Sequence, residues 1–491
     1  MAETFASPAH PLGTAGPDPG RRSRLRPDLA LLALGTAILR IPALLASAHL
    51  TVDDGVFGAS AVVMRAGALP FRDVFSSQGP LFLPLVWSSD LVGLRTLNSP
   101  RVLALVSGIA LVLAVYAGGR IVADRQGALL AAGVTSITGS VLWVTGPLAA
   151  DGPALALATG AVVLALRYRR SPTTATALAI GLCVGAALSV KSLVLPLGLP
   201  VGLALLAGRR LRHLILAGGA AVAVGLAVSL PWGLADVWDQ SVTYHLEAAD
   251  DRTPLANLGK VASTLGDRDL PVVALAALAL GALVLARRRA SLTSSSPVAF
   301  PRPWPPSDAL LLGGWLVATL AILATEYPLW RPHVAYLVPA TALLVALRPP
   351  PLRALLLAAL LVVPYHVVHL WPVFHPDPYD AAERAVQAEL RALPGGARAI
   401  SDEPGLVWRA GRRTPPDLVD ASRLRIDSGR ITAESLGAAA ADPQVCALAV
   451  WSTRFGDLDR LPAELEAAGY TRTASFGGSR SLWQKHVCDP T

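Results

Sequence analysis

The sequence predicts an all-α polytopic membrane protein, with about 11 transmembrane helices, followed by a small C-terminal α/β domain. The 491-residue chain is 53% hydrophobic and only 15% charged, whereas soluble domains contain about 25% charged residues. Apolar runs of roughly 17–25 residues, the length of a bilayer-spanning helix, recur along most of the chain. Near Pro376 they give way to short alternating strand and helix patterns.

The net charge of +8 comes mainly from arginine, since lysine occurs only at Lys191, Lys260 and Lys485. Most of the arginines cluster at the ends of apolar runs, where the excess of basic residues on the cytoplasmic side of membranes accounts for them. This placement argues against nucleic-acid binding and predicts a plasma-membrane, multi-pass protein in contact with membrane lipid.

The arginine clusters also decide how the chain threads the membrane. Eleven spans put most clusters on the cytoplasmic side, and these spans are 28–49, 102–118, 127–146, 153–167, 172–190, 192–208, 213–232, 271–287, 308–325, 333–347 and 352–372. The short run 81–94 is then predicted to be a helix lying in or on the membrane. The first run follows a long polar segment and is interpreted as a retained span rather than a signal peptide.

Three regions follow from this topology. Residues 1–27 are predicted to be a disordered cytoplasmic N-terminus. Residues 28–375 form the membrane domain, with outer loops at 49–101 (the first loop) and 233–270 (the second loop). Residues 376–491 form an extracytoplasmic α/β domain. A Ser/Pro-rich tract at 287–308 is interpreted as a cytoplasmic linker.

The C-terminal region carries the local patterns of an α/β fold. Residues 380–393 have apolar positions at helical spacing, 445–452 are a continuous apolar strand pattern, and 461–470 are helical again. Cys446 and Cys488 lie in this region. An oxidising exterior would permit a disulfide between them, and two buried free thiols are the alternative.

The polar residues on the predicted outer side include an acidic pair, Asp53-Asp54, directly after the first span. Two adjacent carboxylates at the mouth of a membrane bundle suggest chemistry or ion binding. The alternative is that they cap a helix covering Val56 to Ala66. No metal-ligand spacing accompanies the pair, so no metal site is predicted, although a divalent cation is left open.

Several outer segments together resemble a known family. The first loop contains VDDGVFGASAVVMRAGALPFRDVFSSQGPLFL, and later segments read GPLAADGPALALATGA, GAALSVKSLVLPLGLP and PLWRPHVAYLVPATALL. In order and spacing they resemble the outer loops of GT-C glycosyltransferases, in the branch of the protein O-mannosyltransferases and the lipid A aminoarabinose transferase. The resemblance covers roughly residues 28–372, and the segment 400–420 looks like the tail domain of actinobacterial members.

The resemblance implies an enzyme that moves a sugar from a polyprenyl-phosphate donor to an acceptor hydroxyl outside the cell. Asp53 matches the first acid of the family and is expected to be the base, with inversion at the anomeric carbon, and Asp54 is the reserve. Asp151, Lys191, Gln78, Arg331 and His333 are the expected substrate-binding residues. The sugar would be a hexose or a pentose, and the acceptor a cell-envelope glycan, a lipid or a protein.

Two residues depart from the family pattern. Gln78 stands where many relatives carry lysine, and an amide can hydrogen-bond a phosphate without neutralising it. Asp54 stands where relatives carry glutamate. Two alternatives are therefore weighed: a transporter or flippase of lipid-linked saccharide, and a non-catalytic envelope scaffold. Internal repeats and helices broken at mid-membrane would favour transport, but no repeat is visible and the carboxylates gather at one surface.

Overall fold

The computed structural model describes residues 25–208, 210–247, 253–293, 307–375 and 379–489. The predicted N-terminus 1–27 and linker 287–308 lie largely outside these residues. The helices of the membrane domain have the following bounds: Leu25–Leu45, Val52–Arg65, Phe82–Val92, Val102–Val122, Arg125–Ile137, Gly139–Thr145, Asp151–Arg170, Thr174–Val190, Gly198–Ala207, Leu211–Ser229, Leu234–Trp238, Tyr244–Leu246, Pro254–Arg268, Leu270–Thr293, Asp308–Thr325, Val338–Leu347 and Leu352–Phe374. Short 3-10 or π turns occur at Ser99–Arg101, Ser192–Leu197, Leu230–Trp232, Asp239–Thr243 and Arg331–Leu337.

Each predicted span falls on one of these helices or on two consecutive ones. Within the described residues, four helices are long and apolar enough to cross a bilayer alone: Ser99–Val122, Leu211–Trp232, Asp308–Thr325 and Leu352–Phe374. A bent pair would make a fifth. The remaining predicted spans are shorter, interrupted or less apolar helices, so the count of about 11 stays a prediction. The short run 81–94 forms the helix Phe82–Val92.

The bent pair consists of Arg125–Ile137 and Gly139–Thr145, which meet at 63°. Its second helix starts against a carboxylate from a distant segment. Asp269 accepts a hydrogen bond from the Ser140 amide at 2.7 Å and another from the Ser140 hydroxyl at 2.5 Å. A carboxylate at a helix start satisfies amides that lack an intrahelical partner, so Asp269 fixes the bend.

Small residues allow close packing between two of the membrane helices. A Cβ added to Gly181 would lie 2.2 Å from the Ala217 carbonyl oxygen, and one added to Gly185 would lie 2.6 Å from that of Ala221. Glycine therefore lets the backbones of Thr174–Val190 and Leu211–Ser229 approach closely, as is common between helices in membranes.

The C-terminal region is a small α/β domain around a four-stranded sheet. Its strands are β1 (Arg398–Ser401), β2 (Val445–Val450), β3 (Tyr470–Ser475) and β4 (Ser481–Lys485), in the spatial order β1-β2-β4-β3. The β1–β2 pair is parallel and the other two pairs are antiparallel. Its helices are Ala381–Ala392, Pro404–Arg409, Arg423–Asp427, Ala433–Ala441, Thr453–Gly456 and Leu461–Ala467, with a 3-10 turn at Pro416–Leu418.

Local signals in the sequence explain this domain. Asp380 and Glu383 form a reciprocal capping box that starts Ala381–Ala392. Every residue of β2 is buried, as its apolar run predicts. Cys446 and Cys488 are joined in a disulfide with a Cα–Cα distance of 5.3 Å, which is the first of the two alternatives left open by the sequence.

The C-terminal domain docks on the first loop. Its helix Pro404–Arg409 packs against Val52–Arg65 so tightly that a Cβ on Gly55 would lie 2.7 Å from the Gly405 amide nitrogen. A Cβ on Gly58 would overlap the Trp408 ring at 2.4 Å. His49 completes the contact, 3.1 Å from Glu403 and 2.7 Å from the Tyr379 hydroxyl. The helix that begins at the acidic pair is thus supported by the C-terminal domain.

Candidate active site

The acidic pair lies in the first turn of Val52–Arg65, but neither carboxylate is the helix cap. Thr51 has an extended backbone, and its hydroxyl accepts a hydrogen bond from the Asp54 amide at 3.1 Å. The helix therefore begins at Val52 rather than Val56, and the cap is a threonine, which is among the preferred cap residues. Both carboxylates are left for other contacts.

Asp54 forms a fully buried ion pair with Arg101. Nε of Arg101 lies 3.0 Å from one carboxylate oxygen, and Nη2 lies 2.5 Å from the other. The amides of Leu50 and Leu148 donate to the same carboxylate at 2.9 and 3.1 Å. Arg101 and these amides hold the pKa of Asp54 below its usual range despite its burial. Each oxygen of Asp54 therefore already accepts two hydrogen bonds.

The guanidinium of Arg101 also ties down the end of the first span. It donates to the carbonyl oxygens of Ala43, Ala46 and Ala48 at 3.1, 2.7 and 2.6 Å. Every polar atom of this buried pair has a partner, which is the condition for a buried charge to be tolerated. The Asp54–Arg101 pair thus fixes the position of its neighbour, Asp53.

Asp53 has a different environment. The residue is exposed to solvent, and no described residue donates a hydrogen bond to its carboxylate. Protein nevertheless surrounds it on most sides, which raises its pKa to about 6. Lys191 and His333 act in the opposite direction, while Asp151 and Asp420 raise the pKa further. Exposure combined with a desolvating surround indicates that Asp53 lies in a concave position, here called the recess, rather than on a convex surface.

A second cluster on this recess joins three of the predicted residues. Nζ of Lys191 lies 2.8 Å from Oδ1 of Asp151 and 3.1 Å from Nε2 of His333. An ammonium group can only donate, so Nε2 of His333 accepts and the imidazole proton lies on Nδ1. That nitrogen is 2.7 Å from Glu326. Lys191 is therefore held from two sides.

Backbone geometry explains why Lys191 lies in this position. It follows the helix Thr174–Val190 in an extended conformation, immediately before the 3-10 turn Ser192–Leu197. The first loop passes over this break. The Gly79 amide donates to the Val190 carbonyl at 3.0 Å, and the Leu81 amide donates to Ser189 at 2.8 Å. Glycine is needed here because a Cβ on Gly79 would lie 2.3 Å from the Ser189 carbonyl oxygen.

Gln78 precedes Gly79 on this loop, so the same backbone contacts bring it to the Lys191 break. Its amide nitrogen donates to the Ser77 hydroxyl at 3.2 Å. His245 of the second loop lies 2.9 Å from the Ser77 carbonyl oxygen. Gln240 anchors the first loop from the other side, accepting from the Ser76 amide at 3.0 Å and donating to Phe71 at 2.7 Å.

Arg331 is the predicted site residue that lies apart from this cluster. Its guanidinium is half-exposed and 3.5 Å from the carboxylate of Asp267. It begins the 3-10 turn Arg331–Leu337, which carries His333 inward, while Arg331 itself faces the end of the helix Pro254–Arg268.

Arg101, Glu326 and Asp420 belong to the site, but the sequence analysis did not single them out. The sequence did contain a signal for Arg101, because an arginine on the predicted outer side is an exception to the positive-inside pattern. Asp420 lies in the segment 400–420, whose resemblance was noted without any chemistry assigned to it. As for metals, the described residues contain no cluster of three or more His, Cys, Asp or Glu side chains arranged to hold an ion.

Comparison with known proteins identifies the fold. No protein-family model matches the sequence, and no curated protein does. ArnT from Cupriavidus metallidurans bound to undecaprenyl phosphate matches with a TM-score of 0.61 at 13% identity, over 95% of this chain and 99% of that chain. Its apo state gives 0.58 at 12% identity, over 94% and 98%.

A third match is an oligosaccharyltransferase from Archaeoglobus fulgidus in complex with Zn and sulfate. Its TM-score is 0.53 at 12% identity, over 92% of this chain and 72% of that chain. These neighbours confirm, for the fold, the resemblance inferred from the loop motifs. The chain therefore has the GT-C fold of polyprenyl-phosphate-dependent glycosyltransferases.

Proposed function

We propose that the protein is an integral-membrane glycosyltransferase of the plasma membrane that moves a sugar from a polyprenyl-phosphate donor to an acceptor hydroxyl outside the cell. The observation that carries this proposal is the recess in which an unpartnered carboxylate, Asp53, lies within electrostatic range of a held cation, Lys191. The disulfide in the C-terminal domain supports an extracytoplasmic location, because disulfides persist in oxidising compartments.

Asp53 is the proposed base. The acceptor hydroxyl gives its proton to the Asp53 carboxylate while its oxygen forms a bond to C1 of the sugar. The bond between C1 and the phosphate oxygen breaks on the opposite face, and its electron pair stays on the phosphate. A single displacement of this kind inverts the anomeric carbon. A pKa of about 6 suits a base that operates near neutral pH.

Asp54 takes a supporting role in this scheme. Its carboxylate is saturated by Arg101 and two backbone amides, so it has no free oxygen to accept a further proton or to bind a sugar. Its contribution is to hold the first turn of Val52–Arg65 in place. Precise placement of a catalytic group is itself a large part of catalysis.

Lys191 is proposed to stabilise the charge that develops on the departing phosphate. Asp151 and His333 orient its ammonium group, and Glu326 in turn orients His333. A preorganised cation of this kind stabilises a transition state without a reorganisation cost. The Gln78 amide can donate to a phosphate oxygen, and Arg331 would add a second cation after leaving Asp267.

The test is transfer of radiolabelled sugar from polyprenyl-phosphate donors in membranes, comparing wild type with Asp53→Asn. Loss of a general base costs roughly 10²–10⁴-fold in rate, so transfer should fall by that factor while donor binding persists. Asp73→Asn is the matched control, since Asp73 is an exposed acid of the same loop. Equal transfer by Asp53→Asn and wild type would remove Asp53 from the chemistry. No transfer from any donor would favour the transporter or the scaffold.

A further inference from the structure

The C-terminal domain carries a carboxylate, Asp420, that lies within electrostatic range of Asp53. Asp420 follows the 3-10 turn Pro416–Leu418 and is only 6% exposed. One of its oxygens accepts the Ser422 amide at 2.9 Å. No described residue donates a hydrogen bond to the other oxygen. That oxygen is not sealed from solvent, so it is free to accept a hydrogen bond from water or from a ligand hydroxyl.

The segment around Asp420 is held against both loops. The Ser422 hydroxyl lies 2.9 Å from the Tyr244 hydroxyl of the second loop. The guanidinium of Arg425 lies 4.1 Å from the ring of Phe75 in the first loop and donates to the Asp420 carbonyl oxygen at 2.8 Å. These contacts give the segment one fixed position over the recess.

This position brings Asp420 close to the proposed base. Asp420 lies near enough to interact electrostatically with Asp53, Tyr244 and His245. Lys191, Asp151 and His333 also act on Asp53, but they belong to the membrane domain. The recess thus has one wall from the membrane domain, which is the Lys191 cluster, and another from the C-terminal domain, which carries Asp420.

We infer that Asp420 is an acceptor-positioning residue and that the acceptor is a carbohydrate, whose second hydroxyl donates to Asp420 while the reacting hydroxyl donates to Asp53. This inference rests on the proposed function. A donor held by its lipid tail and phosphate occupies the membrane side, so the C-terminal wall faces the group that arrives from solvent. Two separate carboxylate acceptors suit a polyol, whereas a serine or threonine side chain offers only one hydroxyl.

The charges of Asp53 and Asp420 further restrict the class of acceptor that can bind. Asp53 and Asp420 would repel a phosphate or carboxylate brought near them. The acceptor end that enters the recess is therefore uncharged, as a neutral glycan is. Anionic groups of the same polymer would have to lie outside.

The first experiment compares acceptors in a purified assay with polyprenyl-phosphate donor. The probes are octyl glycosides of neutral sugars and a peptide rich in serine and threonine. Wild type should use a glycoside and ignore the peptide. Asp420→Asn should raise KM for the glycoside roughly tenfold or more, since a lost hydrogen bond to a charged group is worth about 1.5–3 kcal/mol. Donor KM should not change.

Asp417→Asn is the matched control, because Asp417 is an exposed acid three positions earlier. It should leave both KM values unchanged. Preference for the peptide would overturn the carbohydrate acceptor. An unchanged glycoside KM in Asp420→Asn would overturn the positioning role.

A second measurement separates this inference from the proposed function, because it needs no turnover. Carbodiimide labels protonated carboxyls, so labelling of Asp53 should decline as the pH rises through the pKa of Asp53. Mass spectrometry of the peptide that contains Asp53 measures the labelling. Removing the Asp420 charge should move that midpoint to lower pH, and Asp417→Asn should not. An unmoved midpoint would overturn the inference even if transfer is established. A shifted labelling midpoint in a protein that shows no sugar transfer would contradict the proposed function and not the position of Asp420 near Asp53.

Discussion

Asp53 and Asp54 are consecutive residues of one helical turn, yet Asp54 is sealed in an ion pair with Arg101 while Asp53 faces solvent with no hydrogen-bond donor among the described residues. The backbone therefore separates two tasks that the sequence pattern alone does not distinguish. One carboxylate fixes the helix, and the other remains available to a ligand.

Replacing either member of the Asp54–Arg101 pair should destabilise the protein. Removing one partner leaves a buried charge uncompensated, which costs about 3–5 kcal/mol. We expect Arg101→Ala and Asp54→Asn to lower the thermal unfolding midpoint in detergent clearly, and Arg72→Ala, an exposed arginine of the same loop, to leave it unchanged. An Asp54→Asn protein that unfolds like wild type but has lost transfer would instead give Asp54 a chemical role.

The pH dependence of transfer should report Asp53. A base works only when deprotonated, so kcat/KM should rise with pH and level off above the pKa of Asp53, which is about 6. Below that pH the rate should fall tenfold per unit. The measurement is the pH profile of kcat/KM for wild type and for Asp73→Asn, which should share one acid limb. A midpoint near 4, the value of an ordinary aspartate, would contradict the recess described for Asp53.

Lys191 should matter for the chemical step more than for folding. Lys191→Met removes the cation that we propose stabilises the leaving phosphate, and we expect kcat to fall at least about 100-fold, the scale seen when one preorganised transition-state donor is lost. Lys191→Arg keeps the charge and should restore part of the rate. The comparison is kcat at saturating donor, with unfolding midpoints as the folding control. A raised donor KM with an unchanged kcat would instead show that Lys191 binds the ground state and the transition state equally.

The docking of the C-terminal domain should depend on Gly55. Its substitution by alanine pushes a methyl group to within 2.7 Å of the Gly405 backbone, and overpacking of this kind costs roughly 1–3 kcal/mol. Gly55→Ala should lower transfer and expose the C-terminal domain to limited proteolysis. Gly133→Ala is the control, because nothing lies within 4 Å of the added methyl group. An unchanged proteolysis pattern would show that the contact accommodates the methyl group without undocking of the C-terminal domain.

Much of this architecture could be predicted because its signals are local. Apolar length predicts the membrane helices, the capping residues Asp380 and Glu383 predict the start of Ala381–Ala392, and the apolar run at 445–450 predicts β2. The gathering of Asp151, Lys191 and His333 is not local. We expected it because three separate loops lie on the same predicted side of the membrane and because these loops resemble those of GT-C glycosyltransferases. The GT-C fold that the resemblance implied is confirmed.

Other features could not be predicted because they depend on tertiary contacts. Nothing near Asp54 in sequence shows that Arg101, 47 positions away, will neutralise it. The helix also starts at Val52 rather than Val56, because Thr51 provides the cap that the alternative interpretation assigned to the aspartates. Asp420 lies still further along the chain, and only the docking of the C-terminal domain brings it to the recess.

The contact of His49 with Tyr379 joins positions 330 residues apart, and this has a consequence for biosynthesis. A ribosome makes the Asp53 helix well before its support, Pro404–Arg409. During that interval the first loop lacks its partner. The recess can form only after the C-terminal domain has been synthesised and has reached the same side, so each nascent chain would stay inactive until that domain has docked.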